Sequence, residues 1–209
     1  MRNFLYHRLV LVSLIAVFIT GNVYAFDKER KGFMVGIGLG PGFSSYKEKA
    51  DSAGTATFDK SKSGLAFFSD FKIGYAPSNN LMIYWMSKGS WFGIKKSSII
   101  DKTDDKNQPY EDVTALAGVG GLGITYFLKP QPPSLFVSVG GGFSAWSLPF
   151  EDTDAWTGIG VAGGLGYEFA KNWNLELSAL WGKPKHDAGG VESTADPLAV
   201  GLTINVLGY

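Results

Sequence analysis

The sequence predicts an all-β fold, an eight-stranded antiparallel up-and-down barrel that crosses a membrane, and three observations carry the prediction. Apolar residues recur with period two, not 3.6, along most of the chain. Beyond the first 25 residues no stretch approaches the apolar length of a membrane helix. Connections between the alternating segments are long and short by turns, as in barrels with long external loops and tight turns on the other side.

Residues 1–25 read as a cleaved secretory signal, followed by a barrel domain over 26–209. "MRNFLYHR" is a basic start, "LVLVSLIAVFIT" a short apolar core, and "GNVYA" a small-residue exit with Val23 and Ala25 at the expected cleavage positions. His7 leaves with this leader, so His186 is the only histidine of the mature chain. The chain has no cysteine, which excludes disulfides, Cys-zinc sites and thiol catalysis. Its 19 basic and 19 acidic residues cancel, so no net charge argues for nucleic acid as a partner.

Each strand follows in order. In "GFMVGIGLGPGF" Phe33, Val35, Ile37 and Leu39 oppose Met34 and three glycines. "LAFFSDFKIGY" sets Leu65, Phe67, Phe71, Ile73 and Tyr75 against Phe68, Asp70 and Lys72, and "LMIYWMS" sets Ile83 and Trp85 against Met82, Tyr84 and Met86. From Val113 to Leu128, Leu122, Ile124 and Tyr126 oppose Gly121, Gly123 and Thr125. In the second half Leu135, Val137 and Val139 oppose Ser138 and Gly140; Ile159, Val161, Leu165 and Tyr167 oppose Gly164, Gly166 and Glu168. Trp173, Leu175 and Leu177 oppose Asn174, Glu176 and Ser178, and Leu198 through Val206 oppose Ala199, Gly201, Thr203 and Asn205.

Long connections are expected over 44–63, 87–112, 148–155 and 182–196, and tight turns over 76–80, 129–134 and 170–172. With eight strands both ends of the barrel fall on the tight-turn side. The large-residue face is almost uncharged, while the other carries small and polar residues. In so narrow a barrel that pattern puts the small residues inside and the large ones against lipid. Tyr75, Tyr126, Tyr167 and Trp173 are then expected to form an aromatic girdle at the membrane surface, on the periplasmic side, together with Tyr209.

On these features the chain resembles the small eight-stranded outer-membrane barrels of the OmpA/OmpX-like and opacity-type group. The resemblance is carried by the leader, the Gly-Tyr/Asn-Leu hairpins at Gly74–Trp85 and Gly166–Trp181, and the last strand "PLAVGLTINVLGY". It implies an integral outer-membrane protein with long loops outside and both ends periplasmic. Implied partners are outer-membrane lipid, lipopolysaccharide and, during biogenesis, the barrel assembly machinery. In that group a final aromatic residue, here Tyr209, serves as the assembly signal. Its phase differs by one from that of Val200, Leu202, Ile204 and Val206, so a bulge or another terminal geometry is required.

The expected role is structural or surface interaction, without catalysis, cofactor or metal; a lipid A hydrolase and a narrow solute channel are the alternatives. "GVGGLG" and "GIGVAG" have dinucleotide-loop spacing but lie inside alternating strands with no helix following. Asp70, Lys72, Glu168 and Glu176 are placed inward, where charges must pair, and are expected to form one interior ion-pair network. Lys72 is expected to pair with Glu176, Glu168 or Asp70, the first of them across the lumen. His186, Glu192 and Ser193 share the last external connection and represent the hydrolase alternative, which requires nucleophile and base within hydrogen-bond reach. Asp101, Asp104 and Asp105 lack the glycine turn and terminal Glu of an EF-hand loop.

Overall fold

A computed structural model describes residues 29–52, 55–95, 112–151, 153–188 and 191–209. The expected leader, Asp101, Asp104 and Asp105 lie outside them. The described residues form nine strands: β1 (Gly32–Ser52), β2 (Thr55–Ser78), β3 (Leu81–Lys95), β4 (Asp112–Phe127), β5 (Ser134–Ser147), β6 (Trp156–Ala170), β7 (Trp173–Ala188), β8 (Val191–Ala195) and β9 (Leu198–Gly208). Successive strands pair antiparallel from β1 to β7. Both β8 and β9 lie between β7 and β1, so the sheet closes on itself. Together they fill the eighth position of the wall. The predicted eight-stranded barrel is the observed one, its last strand split at Asp196–Pro197.

The split has a local cause. Pro197 has no N–H to offer the ladder. The wall stays sealed there because the Asp196 N–H donates to the Lys47 carbonyl (2.9 Å) and the Gly182 N–H to the Pro197 carbonyl (3.3 Å). At the other end Lys171–Asn172 closes β6 onto β7 in a tight turn, with Asn172 at φ 68°, a left-handed conformation that Asn tolerates better than most residues.

Two expected loops prove to be largely strand. Residues 44–52 continue β1 and 55–63 continue β2, while 182–188 and 191–195 form the β7–β8 hairpin. The apolar alternation stops at Phe43 and Trp181 because lipid stops there, whereas ladder hydrogen bonds continue irrespective of side-chain polarity. The connection over 148–155 is irregular as expected.

Side-chain facing follows the predicted phase. Val139 is 64% exposed and Ser138 9%; Leu65 is 86% exposed and Phe68 1%. The outward apolar residues of β1 run from Phe33 to Phe43. At about 3.3 Å per residue and a tilt near 40° they cover about 25 Å, the height of a membrane barrel's apolar band. Inside, glycine makes room for large neighbours. A Cβ at Gly201 would lie 2.5 Å from Cγ of Phe68, and one at Gly123 2.5 Å from the Tyr84 ring.

Candidate functional site: the barrel interior

The lumen is filled in three layers, each set by inward positions of the strands. The middle layer holds charge. β2 contributes Asp70 and Lys72, β3 Lys88, and β7 Glu176, all buried. The Lys72 ammonium lies 2.5 Å from Glu176 Oε2 and 3.0 Å from Asp70 Oδ2. That of Lys88 lies 2.5 Å from Asp70 Oδ2 and 3.1 Å from Glu176 Oε1. Each carboxylate therefore touches both ammonium groups, and the four charges cancel. Ser138 donates to Glu176 Oε1 at 2.7 Å, and the Tyr84 and Thr125 hydroxyls bond at 2.8 Å beside the cluster. Below it the Asn205 amide donates to Asn174 Oδ1 and Thr203 Oγ1, both at 3.1 Å.

The layer at the tight-turn end is built on Arg30, just before β1. Its Nε donates to Glu168 Oε2 at 2.9 Å, with a second, closer contact from Nη2 to the same oxygen. Nη1 donates to the carbonyls of Asn79 and Lys129, each at 2.7 Å, so one guanidinium ties two turns together. Its Cζ lies 4.0 Å from the Phe127 ring centroid. Tyr209 donates its hydroxyl proton to Glu168 Oε1 at 2.7 Å.

The third layer, towards the long-connection end, is aromatic. Tyr46 and Trp146 pack with centroids 4.7 Å apart and Phe92 lies 6.0 and 5.9 Å from them. Trp146 Nε1 donates to buried Glu48 at 2.8 Å. His186 stacks on Trp156 at 6.0 Å with a 5° interplanar angle.

The structure brings together Asp70, Lys72 and Glu176 and corrects two placements. Glu168 does not join that network; it sits in the tight-turn layer with Arg30. Tyr209 is not part of the girdle. It is 3% exposed and turned inward, while Tyr75, Tyr126, Tyr167 and Trp173 are outward and exposed. Its one-residue phase shift is simply the inward phase of β9, shared with Leu207 and Asn205, and no bulge occurs there. His186 and Ser193 are direct cross-strand neighbours, but the imidazole lies flat against Trp156 and makes no hydrogen bond to the Ser193 hydroxyl. Glu192 pairs in register with Asp187, and its side chain lies outside what the structure describes. The geometry required of a nucleophile and its base is therefore missing from this trio.

Sequence reasoning missed Lys88, Arg30 and Glu48. For Lys88 the signal was present: Met82, Tyr84 and Met86 set the inward phase, and the next residue in that phase is Lys88. Arg30 precedes the first alternating strand and carries no periodic signal at all. Glu48 fell within an expected loop.

The chain matches no family model and no curated protein. Solved structures similar to it include the outer membrane protein OprG from Pseudomonas aeruginosa, at 10% identity over 87% of this chain and 99% of that one, TM-score 0.49. The attachment invasion locus protein of Yersinia pestis, in complex with a heparin analogue, is similar at 13% identity over 82% and 99%, TM-score 0.37. The outer membrane protease OmpT from Escherichia coli is similar at 9% identity over 85% and 97%, TM-score 0.41. At such values the likeness carries no information on activity. This chain's own surface does decide one point: an unbroken apolar band encircles a closed sheet with a polar, ionised interior. The chain is a small transmembrane β-barrel.

Proposed function

We propose that this protein is an integral outer-membrane barrel with a structural or surface-interaction role, closed to solutes and without catalytic activity. Its extended β1–β2 and β7–β8 hairpins point out of the cell, and its tight turns and both barrel ends face the periplasm. One observation carries the reading: among the described residues three successive layers of side chains cross the lumen, a neutral, mutually paired quartet of charges between an Arg30–Glu168 layer and an aromatic layer. An eight-stranded interior is just wide enough for side chains, so such filling leaves no aqueous path. What remains available to partners is the part above the band. Residues 44–52 of β1 alone reach about 20 Å beyond it at ordinary strand rise and tilt.

Planar-bilayer recordings on the refolded protein test this reading. The expected record is indistinguishable from protein-free lipid. Discrete conductance steps that vanish when Lys72 and Lys88 are exchanged for Met would establish the channel alternative. Deacylation of lipid A that is lost on His186→Ala would establish the hydrolase.

A further inference from the structure

We infer that a furrow on the lipid-facing wall of β5, β6, β7 and β9 seats one acyl chain of a bilayer phospholipid from the leaflet on the tight-turn side. This rests on the membrane-barrel reading above. The furrow has a volume of about 410 Å³ and is lined by apolar and aromatic residues and one glycine. The strand register builds its walls. Val137, Leu165, Leu177 and Leu202 stand in one outward rank across the four strands. Leu135, Tyr167 and Leu175 form the next outward rank towards the tight turns, and Leu128 extends it, donating its N–H to the Leu135 carbonyl at 2.9 Å. Between the two ranks Phe136 pairs with Gly166. The Phe136 ring lies inside, where a Cβ on Gly166 would meet it, so this pair shows lipid only its backbone and makes the floor.

Neighbouring strands are about 4.8 Å apart and alternate residues about 7 Å, so the furrow is about 19 Å long from β4 to β9 and about 7 Å between its walls. An α-helix with its side chains is about 10–12 Å across and does not enter so narrow a slot. The footprint of about 130 Å² also falls far below the roughly 800 Å² that each partner buries in a stable protein interface, which excludes a second barrel as the occupant. Depth gives the furrow a direction. Leu128, at one end, is the last outward residue before the β4–β5 turn, whereas Leu202, at the other, is the middle one of the outward run Leu198–Val206 on β9. From Leu202 to the end of β9 at Gly208 the chain covers about 15 Å of depth at ordinary rise and tilt, half of a hydrocarbon layer about 30 Å thick. The furrow therefore begins at the membrane boundary and ends at the midplane, the path of a lipid tail in one leaflet. Lipid tails are as apolar as leucine, so retention comes from packing: a chain between two walls and a floor touches protein on three sides, where a convex wall offers one. Shape and depth rather than charge select this occupant, since Lys31, Lys129 and Lys171 at that end of the barrel stand with Glu29 and Glu168.

The test uses the full mature protein, first shown to insert into phospholipid vesicles and then held in mild detergent micelles with dipalmitoyl or dioctanoyl phosphatidylcholine, bound lipid being counted by native mass spectrometry. The parent should retain one dipalmitoyl lipid per barrel and at least about fivefold less of the dioctanoyl form, whose short chains forgo most of the wall contacts. Leu165→Trp, which fills the furrow between Val137 and Leu177, should lower retention of the dipalmitoyl lipid at least about fivefold by the same loss of contacts. Leu39→Trp, on the outward face of β1, should leave it unchanged. Should Leu165→Trp not refold, Leu177→Trp must show the loss. No lipid on the parent, equal retention of the two chain lengths, or retention unchanged in the furrow variants overturns the inference. Displacement by an equal concentration of free palmitate would assign the furrow to fatty acids and overturn the phospholipid source. A dimer of barrels that Leu165→Trp dissociates would assign it to a second copy and overturn the inference as well. Failure of the membrane-barrel reading would look different, because no form would insert into the vesicles at all.

Discussion

Glu176 is the residue on which the interior depends most. Its two oxygens meet Lys72, Lys88 and Ser138, whereas Asp70 meets the two lysines through a single oxygen and its Oδ1 makes no hydrogen bond. Glu176→Gln leaves two buried ammonium groups sharing the single Asp70 carboxylate, one net uncompensated charge, and should cost about 3–5 kcal/mol, with Asp70→Asn costing less. Lys72→Met combined with Glu176→Gln should be non-additive by more than about 1 kcal/mol, because the pair shares a 2.5 Å contact. Urea titration of the lipid-refolded variants checks both, and additive effects would mean that the cross-lumen pair is not coupled. A second residue-scale prediction concerns Gly201. Gly201→Val drives a methyl into the Phe68 ring and should cost about 1–3 kcal/mol, recovered in large part by Phe68→Leu. The cross-lumen pairing of Lys72 was legible from alternation plus the narrowness of eight strands. Lys88 continues the inward phase of Met82, Tyr84 and Met86, but it lies beyond the apolar residues that mark the strand in the sequence.

At the level of the strand, depth decides cost. Val139 sits in the middle of the outward run of β5, with Ile124 and Gly163 as its register partners, while Thr157 is outward on β6 above the band. Val139→Arg should cost about 2–4 kcal/mol and Thr157→Arg no more than about 1 kcal/mol, measured by reversible unfolding in lipid. Equal costs would contradict the assigned depth. Ser138, although inward, is a poor control since it donates to Glu176. The strand count, the facing and the tight turns were readable because lipid imposes a strict apolar period on the outer face. The hairpin extensions over 44–52 and 182–188 were not readable. Outside lipid the outer face accepts Lys, Ser and Thr, so a strand there has the composition of a loop.

For the whole molecule, the two ends of the described chain meet on one carboxylate: Arg30 before β1 and Tyr209 after β9 both bond Glu168. Glu168 thereby ties β1, β6 and β9 at the tight-turn end, while the quartet ties β2, β3 and β7 in the middle. Neither tie is legible in full, since Arg30 lies outside the periodic segments and a terminal tyrosine such as Tyr209 suits an outward girdle equally well. The absence of cysteine makes the account directly testable by single-cysteine spin labels along β5, from Leu135 to Gly140. Accessibility to oxygen, which concentrates in lipid, should be high at Leu135, Val137 and Val139 and low at Phe136, Ser138 and Gly140, with a water-soluble nickel reagent excluded from all six. A flat profile, or outward positions reached by the nickel reagent, would contradict a closed barrel facing lipid.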